Sequence, residues 1–226
     1  MKKSLVLFVL FALPIVAYLF FASGVNTFAK LPVVTPHIKE LSHWPSLTGE
    51  KVQLKDKITV LGFPGSKILH NKGNAFNLNQ KIYNKNRGFA DFQMIMVAPI
   101  GTEAEAKELL AELGRLTDVS GWHFVFASPE EIKAYHESLN LVGNLDADFG
   151  TPDVYIIDKT LNLRGRKGTN KKGEQEYKEG YNTISAADLH NEMSDDVKVI
   201  LAEYRLALKK NKNKSKGITR DYGNEK

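Results

Sequence analysis

The 226-residue sequence predicts an α/β domain, a mixed central sheet flanked by helices, behind a single N-terminal transmembrane helix. Three patterns predict it. Short apolar runs alternate with helix-compatible segments from Ile58 to Leu139, the order expected of parallel strands joined by crossovers. A strand–turn–strand pattern, Asp153 to Asp158 and then Leu161 to Arg166, precedes a last helical stretch. Ahead of both, Ser4 to Ala22 runs nineteen residues without a charge.

That N-terminal run is long enough to cross a bilayer core of roughly 30 Å as a helix. Lys2 and Lys3 place its start in the cytoplasm and the domain outside, on the periplasmic side. The membrane contact is expected through Leu5 to Ala22. Residues 1–24 therefore read as a membrane anchor or uncleaved signal; a cleaved signal ending at Thr27-Phe28-Ala29 is the rival, although signal cores are shorter, roughly 7–15 residues. Residues 25–50 carry Pro32, Pro36 and Pro45 and read as an extended arm, whose apolar and aromatic groups, Trp44 among them, are expected to lie on the domain as a lid.

The domain proper is expected over residues 51–210. Val52 to Leu54 reads as a short strand and Ile58 to Phe63 as the first core strand. Asn71 to Asn86 reads as a helix with an uneven apolar stripe, and Gln93 to Ala98 as a strand buried on both faces. Thr102 to Leu116 is a helix, with Thr102 as cap, Glu105 completing a capping box, and Ala106, Leu109, Leu110 and Leu113 at helical spacing. Trp122 to Ala127 is the next strand; Ser128-Pro129 opens a helix to about Leu139. Gly168 to Gly180, charged and glycine-rich, is expected to be a mobile excursion. Ser185 caps the final helical region, with a break expected near Ser194, a potential second cap.

Composition removes whole classes of function. The chain has no cysteine, so it has no disulfide, no thiolate metal site and no thiol nucleophile. Its net charge is +5, and Lys209 to Lys226 alone carries seven basic residues against two acidic ones. The rest is balanced, so the excess belongs to a basic, disordered tail, residues 211–226 at its centre, and no nucleic-acid face is expected. Phosphate-binding glycine loops, nucleophile elbows and zinc-protease helices are absent from the sequence.

A strand ending in Phe63-Pro64 before a loop and helix, a Thr151-Pro152 pair before a strand, and a hairpin-plus-helix ending together resemble a thioredoxin-like domain. The anchor and the YIID strand at Tyr155 to Asp158 most resemble the SCO/SenC family of membrane-anchored copper chaperones. In that family a Cys-x-x-x-Cys pair and a histidine bind copper and handle thiol redox. Alignment at Phe63 puts the cysteine positions on Ile68 and Lys72 and the histidine position near Gly150, so the resemblance implies a degenerate, redox-inactive member. It also implies that Thr151-Pro152 is cis and borders the Gly65 to Lys72 loop.

The candidate groove residues are accordingly Phe63, Pro64, Gly65, Ile68, Lys72, Thr151 and Pro152, with no catalytic residue assigned. The function expected is protein binding in envelope or respiratory-complex assembly, with no enzyme activity and no cofactor. The alternative is SCO-like copper handling with His/Met ligands instead of Cys, built on His70 with His37 or His43. Met94 and Met96 share one face of a strand and read as core. Asp146, Asp148 and Asp153 match no calcium loop and read as a polar turn. His123 lies in an apolar strand, and His136 and His190 lie on helices with nothing in the sequence to complete a site.

Overall fold

The computed structural model of the chain describes residues 3–23, 30–170 and 172–206. The rival cleavage site at Thr27 to Ala29 and the basic tail from Lys209 onward lie outside them. Helix α1 spans Lys3–Ser23 with Pro14 inside it. Among the described residues no helix is long and apolar enough to cross a membrane, and the side chains of residues 4–6 and 20–23 are outside the described set.

The strands are β1 (Val33–Thr35), β2 (Ile58–Pro64), β3 (Phe92–Pro99), β4 (Trp122–Ala127), β5 (Gly150–Ile157), β6 (Leu163–Arg164), β7 (Arg166–Thr169), β8 (Gln175–Lys178) and β9 (Tyr181–Asn182). Seven form one sheet in the order β1-β6-β5-β2-β3-β4, with β9 also paired to β5. Strands β2, β3 and β4 are parallel, as the alternating pattern predicts, whereas β5 runs antiparallel to β2. The sheet is therefore mixed. Helix α2 begins at Lys72–Leu78 and continues through a π-helical turn, Asn79–Tyr83, into Asn84–Asn86. Helix α3 is Glu103–Gly114 and α4 is Pro129–Ser138. Helix α5 starts at Ala186–Asp188, passes through a π-helical turn, Leu189–Met193, and continues over residues 194–206.

The continuous apolar runs follow from a sheet covered on both faces. Val60, Met94, Met96, Phe124, Val154 and Ile156 face a layer made by α2, α3 and α5. Their neighbours Leu61, Phe63, Ile95, Val97, Val125, Tyr155 and Ile157 point the other way, toward α4 and the arm. The two-residue period of the strand sorts the run into two cores.

Several local expectations are corrected. Val52 to Leu54 is not a strand: the N–H groups of Leu54 and Lys55 donate to the Glu40 carboxylate at 2.7 and 2.9 Å, so they are satisfied without a neighbouring strand. Thr102 does not cap α3, because its hydroxyl donates to Pro99 O at 2.7 Å, and Glu105 instead accepts from Leu69 N–H at 3.0 Å. The capping box is found at α4, where Ser128 and Glu131 exchange hydrogen bonds. The stretch from Gly168 to Gly180 contains the β7–β8 hairpin, whose turn is held by Asn170 Oδ1 accepting from the N–H groups of Lys172 and Glu174. At Ser194 the helix continues with φ −60° and ψ −37°.

The arm belongs to the sheet and its cores. Its β1 pairs with β6 at one edge, and at the other Leu47 N–H donates to Phe124 O while Phe126 N–H donates to Pro45 O. Arm residues thus extend the sheet beyond β6 and bond the outer side of β4, so neither of those strands is left as a bare edge. Trp44 meets Tyr135 edge-on at 5.4 Å between ring centroids.

One buried cation joins the arm, the hairpin and the last helix. Arg164, 6% exposed, donates to Asp158 at 2.9 Å, to Glu203 at 2.8 Å and to the carbonyl of Leu31, whose own N–H donates to Glu203 at 2.8 Å. Burial by itself would raise the Asp158 pKa; the Asn162 N–H, the guanidinium and the Thr160 hydroxyl outweigh it and hold the carboxyl below its ordinary range. Replacing Arg164 by methionine leaves Asp158 buried and unpaired. We expect a loss of about 3–5 kcal/mol in urea unfolding, with the loss shrinking in Arg164→Met/Asp158→Leu because the most deeply buried carboxylate is then removed with its partner.

Candidate functional site

The site is built where the loop after β2 meets the start of β5. Gly65, at φ +71°, adopts the left-handed conformation that turns the chain away from the sheet. A Cβ there would lie 2.8 Å from Asp148 O and 3.0 Å from Gly150 Cα, and a Cβ on Gly150 would lie 3.1 Å from Gly65 Cα. The two backbones are in contact, which only glycines at both positions allow.

Polar groups close the crossing. Ser66 N–H donates to Asp148 O at 2.9 Å, and Ser66 Oγ and Lys67 Nζ donate to the Asp148 carboxylate at 3.2 and 2.7 Å. The hydrogen bond from Lys67 lowers the pKa of Asp148. Asp146 Oδ1 accepts from the N–H groups of Asp148 and Gly150 at 2.9 and 2.8 Å, so the polar-turn reading of these aspartates matches the geometry.

Thr151-Pro152 stands beside this loop, as expected, but its peptide bond is trans. Strand β5 runs unbroken through Pro152, and the trans bond keeps its extended path. The loop and the strand approach each other instead through the Gly65–Gly150 contact. The Pro152 carbonyl accepts from both the N–H and the hydroxyl of Thr183, at 2.9 and 2.6 Å.

Between loop and sheet lies an apolar cavity of about 210 Å³. Ile68, Leu78, Met96, Leu109, Phe124 and Val154 form its walls, and Pro152 and Ile184 stand among its outer residues. Ile68 is 2% exposed and Ile184 is 65% exposed, so one belongs to the interior and the other to the mouth. Gly62 makes room for Met96, whose sulfur lies 2.7 Å from where a Cβ would be. Sequence reasoning found the loop and Pro152 but missed Ile184, Thr183 and Asn74, which carry no motif and arrive from other elements.

The groups that could do chemistry are not assembled here. Lys72 Nζ is engaged by the Glu112 carboxylate on α3 at 2.9 and 3.0 Å. His70 is exposed on the loop, whereas His37 is beside Asn162, at the end of β5 opposite Gly150. His43 is on the exposed arm, among residues of the 40–53 segment. The three histidines of the copper alternative therefore stand on different segments, His37 at the far end of β5 from the loop, and among the described residues no group of three or more His, Asp or Glu side chains converges. Isoleucine at 68, a paired lysine at 72 and glycine at 150 do not fit copper either. Met94 and Met96 are packed in the core, as their spacing predicts.

The sheet order, the flanking helices and the loop at the end of β2 define a thioredoxin-like fold. No family model matches the sequence, and no curated protein matches it. Solved structures do. BsSco, a member of the Sco family of cytochrome c oxidase assembly proteins, superposes with a TM-score of 0.51 at 12% identity, over 76% of this chain and 98% of its own. Copper-bound ScoI from Arabidopsis thaliana gives 0.43 at 17% identity over 71% and 97% of the two chains. A thiol:disulfide interchange protein from a Bacteroides species gives 0.45 at 16% identity over 74% and 90%. The fold is therefore thioredoxin-like with Sco structural neighbours, in a chain that has no cysteine.

If the glycine contact sets the site, Gly65→Ala should destabilise the protein by about 2 kcal/mol or more, from overpacking and the left-handed backbone together. Gly73→Ala, where a Cβ meets nothing within 4 Å at the start of α2, should be neutral or stabilise by about 0.5–1 kcal/mol. Urea unfolding of the two variants checks the contrast.

Proposed function

We propose that this protein is a non-enzymatic binding module: a thioredoxin-like domain, tethered to a membrane and lying outside the cytoplasm, that holds an extended segment of a partner protein beside Pro152. The observation that carries this reading is the apolar cavity behind the loop, with Ile68 inside it where a reactive group would be expected. A pocket lined by apolar side chains next to an extended backbone suits the seating of one apolar side chain of a peptide. The missing thiols remove disulfide exchange by the chain's own residues.

The tether rests on sequence: two lysines precede nineteen uncharged residues. BsSco is described as belonging to cytochrome c oxidase assembly proteins, and that likeness supports an assembly partner of the cell envelope or respiratory chain as the client. No observation favours the copper alternative over this reading.

A photoreactive residue placed at Ile184, at the mouth of the cavity, should crosslink a discrete partner in intact cells. The same residue at Val142, which is 75% exposed and does not line the cavity, should not give that adduct. Ile184→Glu should weaken the purified complex about tenfold. Identical adducts from both positions, or none from Ile184, would remove the groove from the account.

A further inference from the structure

His136 lies on the last turn of α4 and is only 5% exposed. Its Nε2 is buried without a hydrogen-bond partner, the only buried side-chain nitrogen or oxygen so placed among the described residues. The ring meets Phe63 edge-on at 5.2 Å and Tyr155 at 6.3 Å. A neutral imidazole fits this aromatic niche, and an imidazolium with an unsatisfied N–H does not.

The groups around the ring give a protonated form little support. Phe63 on β2 carries no charge, and the phenols of Tyr155 on β5 and Tyr135 on α4 are held neutral by burial, which pushes both pKa values up. The negative charges acting on it are Glu179, from the β8–β9 connection, and Glu137 on α4 itself; burial nonetheless prevails and lowers the His136 pKa. The Glu179 carboxylate is already engaged, accepting from the N–H groups of Val142 and Gly143 at 2.8 Å each and from the Tyr177 hydroxyl at 2.8 Å.

The segment after α4 is the element placed to yield. Residues 140–145 form no helix or strand, and none is fully buried. Glu179 holds their N–H groups from outside, and Leu139 is tied at its carbonyl by the Thr35 hydroxyl at 2.8 Å. Directly beyond them come Asp146, Asp148 and Gly150, which clamp the loop of the site. Residues 140–149 lie outside the paired strands, so they can open without dismantling the sheet, and Glu179, whose charge acts on the imidazole, is the group that holds them.

We infer that His136 is a proton-operated latch, which keeps residues 140–149 closed while neutral and releases them when it takes up a proton. The sign follows from linkage. With the folded-state pKa below the ordinary value near 6.5, the closed form binds less proton than the open one, so its advantage is full above pH 6.5 and declines as pH falls below it. Between pH 7.5 and 5.5 one such group shifts the closed-to-open equilibrium by at most about tenfold.

Amide hydrogen exchange on the full chain in detergent micelles tests this, with rates corrected for the intrinsic pH dependence. Protection over 140–149 should fall several-fold, up to about tenfold, from pH 7.5 to 5.5, and His136→Phe, which keeps a ring in the niche, should hold it within twofold. Equal losses in both proteins, or no loss in the wild type, would overturn the latch. Should His136→Phe not fold, the ring proton signal of His136 in the wild-type spectrum decides: titration below pH 6.5 supports the latch, and a midpoint at or above 6.5 overturns it.

Discussion

Two glycine backbones touch at Gly65 and Gly150, and the rest of the site is arranged by that contact. It brings the loop after β2 against the start of β5, with Asp148 binding Ser66 and Lys67 across the junction. Once the crossing is fixed, Ile68 is carried inward and Lys72 outward to Glu112. What remains between loop and sheet is a cavity with mainly apolar walls and a few polar residues, Asn71, Asn74, Asp146 and Thr183 among them. The same geometry that would present a reactive pair in a relative of this fold here presents an apolar recess.

The second constraint lies at the opposite end of the sheet. Arg164 collects Asp158, Glu203 and the Leu31 carbonyl, so the arm, the β5–β6 turn and the last helix meet at one buried guanidinium. Such a cluster adds little net stability over apolar packing, but its geometry is demanding, and losing one partner is costly. It makes residue 31 part of the domain's core architecture, which is why the arm cannot be treated as a linker. The bonding of arm residues to β6 and to the outer side of β4 has the same consequence.

Much of the fold was legible in residue patterns. The runs at Ile58, Gln93 and Trp122 marked parallel strands because each is apolar on both faces, and the Ser128-Pro129-Glu130-Glu131 signature marked a helix start through its own capping chemistry. Less legible were features decided by distant partners. Thr102 looked like a cap but finds Pro99 O closer at hand, and Glu105 is drawn to Leu69. Val52 to Leu54 had a strand's residues but Glu40 for a partner. Pro152 was located correctly while its peptide isomer was not, since the isomer was inferred from a resemblance and not from any residue of this chain. At the site, Phe63 to Lys72 could be placed from sequence; Ile184 and Thr183 could not, because only the tertiary fold brings the entry to α5 against Pro152. His136 carried no sequence signal of its own, and its character comes entirely from being buried against Phe63 and Tyr155.

The central claim is that the recess beside Pro152 is the working surface. Hydrogen exchange on the full chain, alone and in the complex isolated with its crosslinked partner, measures this most directly. The account predicts new protection concentrated in residues 62–75, 150–154 and 183–184. Protection that leaves those residues unchanged and falls on another face, such as residues 163–178, would contradict it.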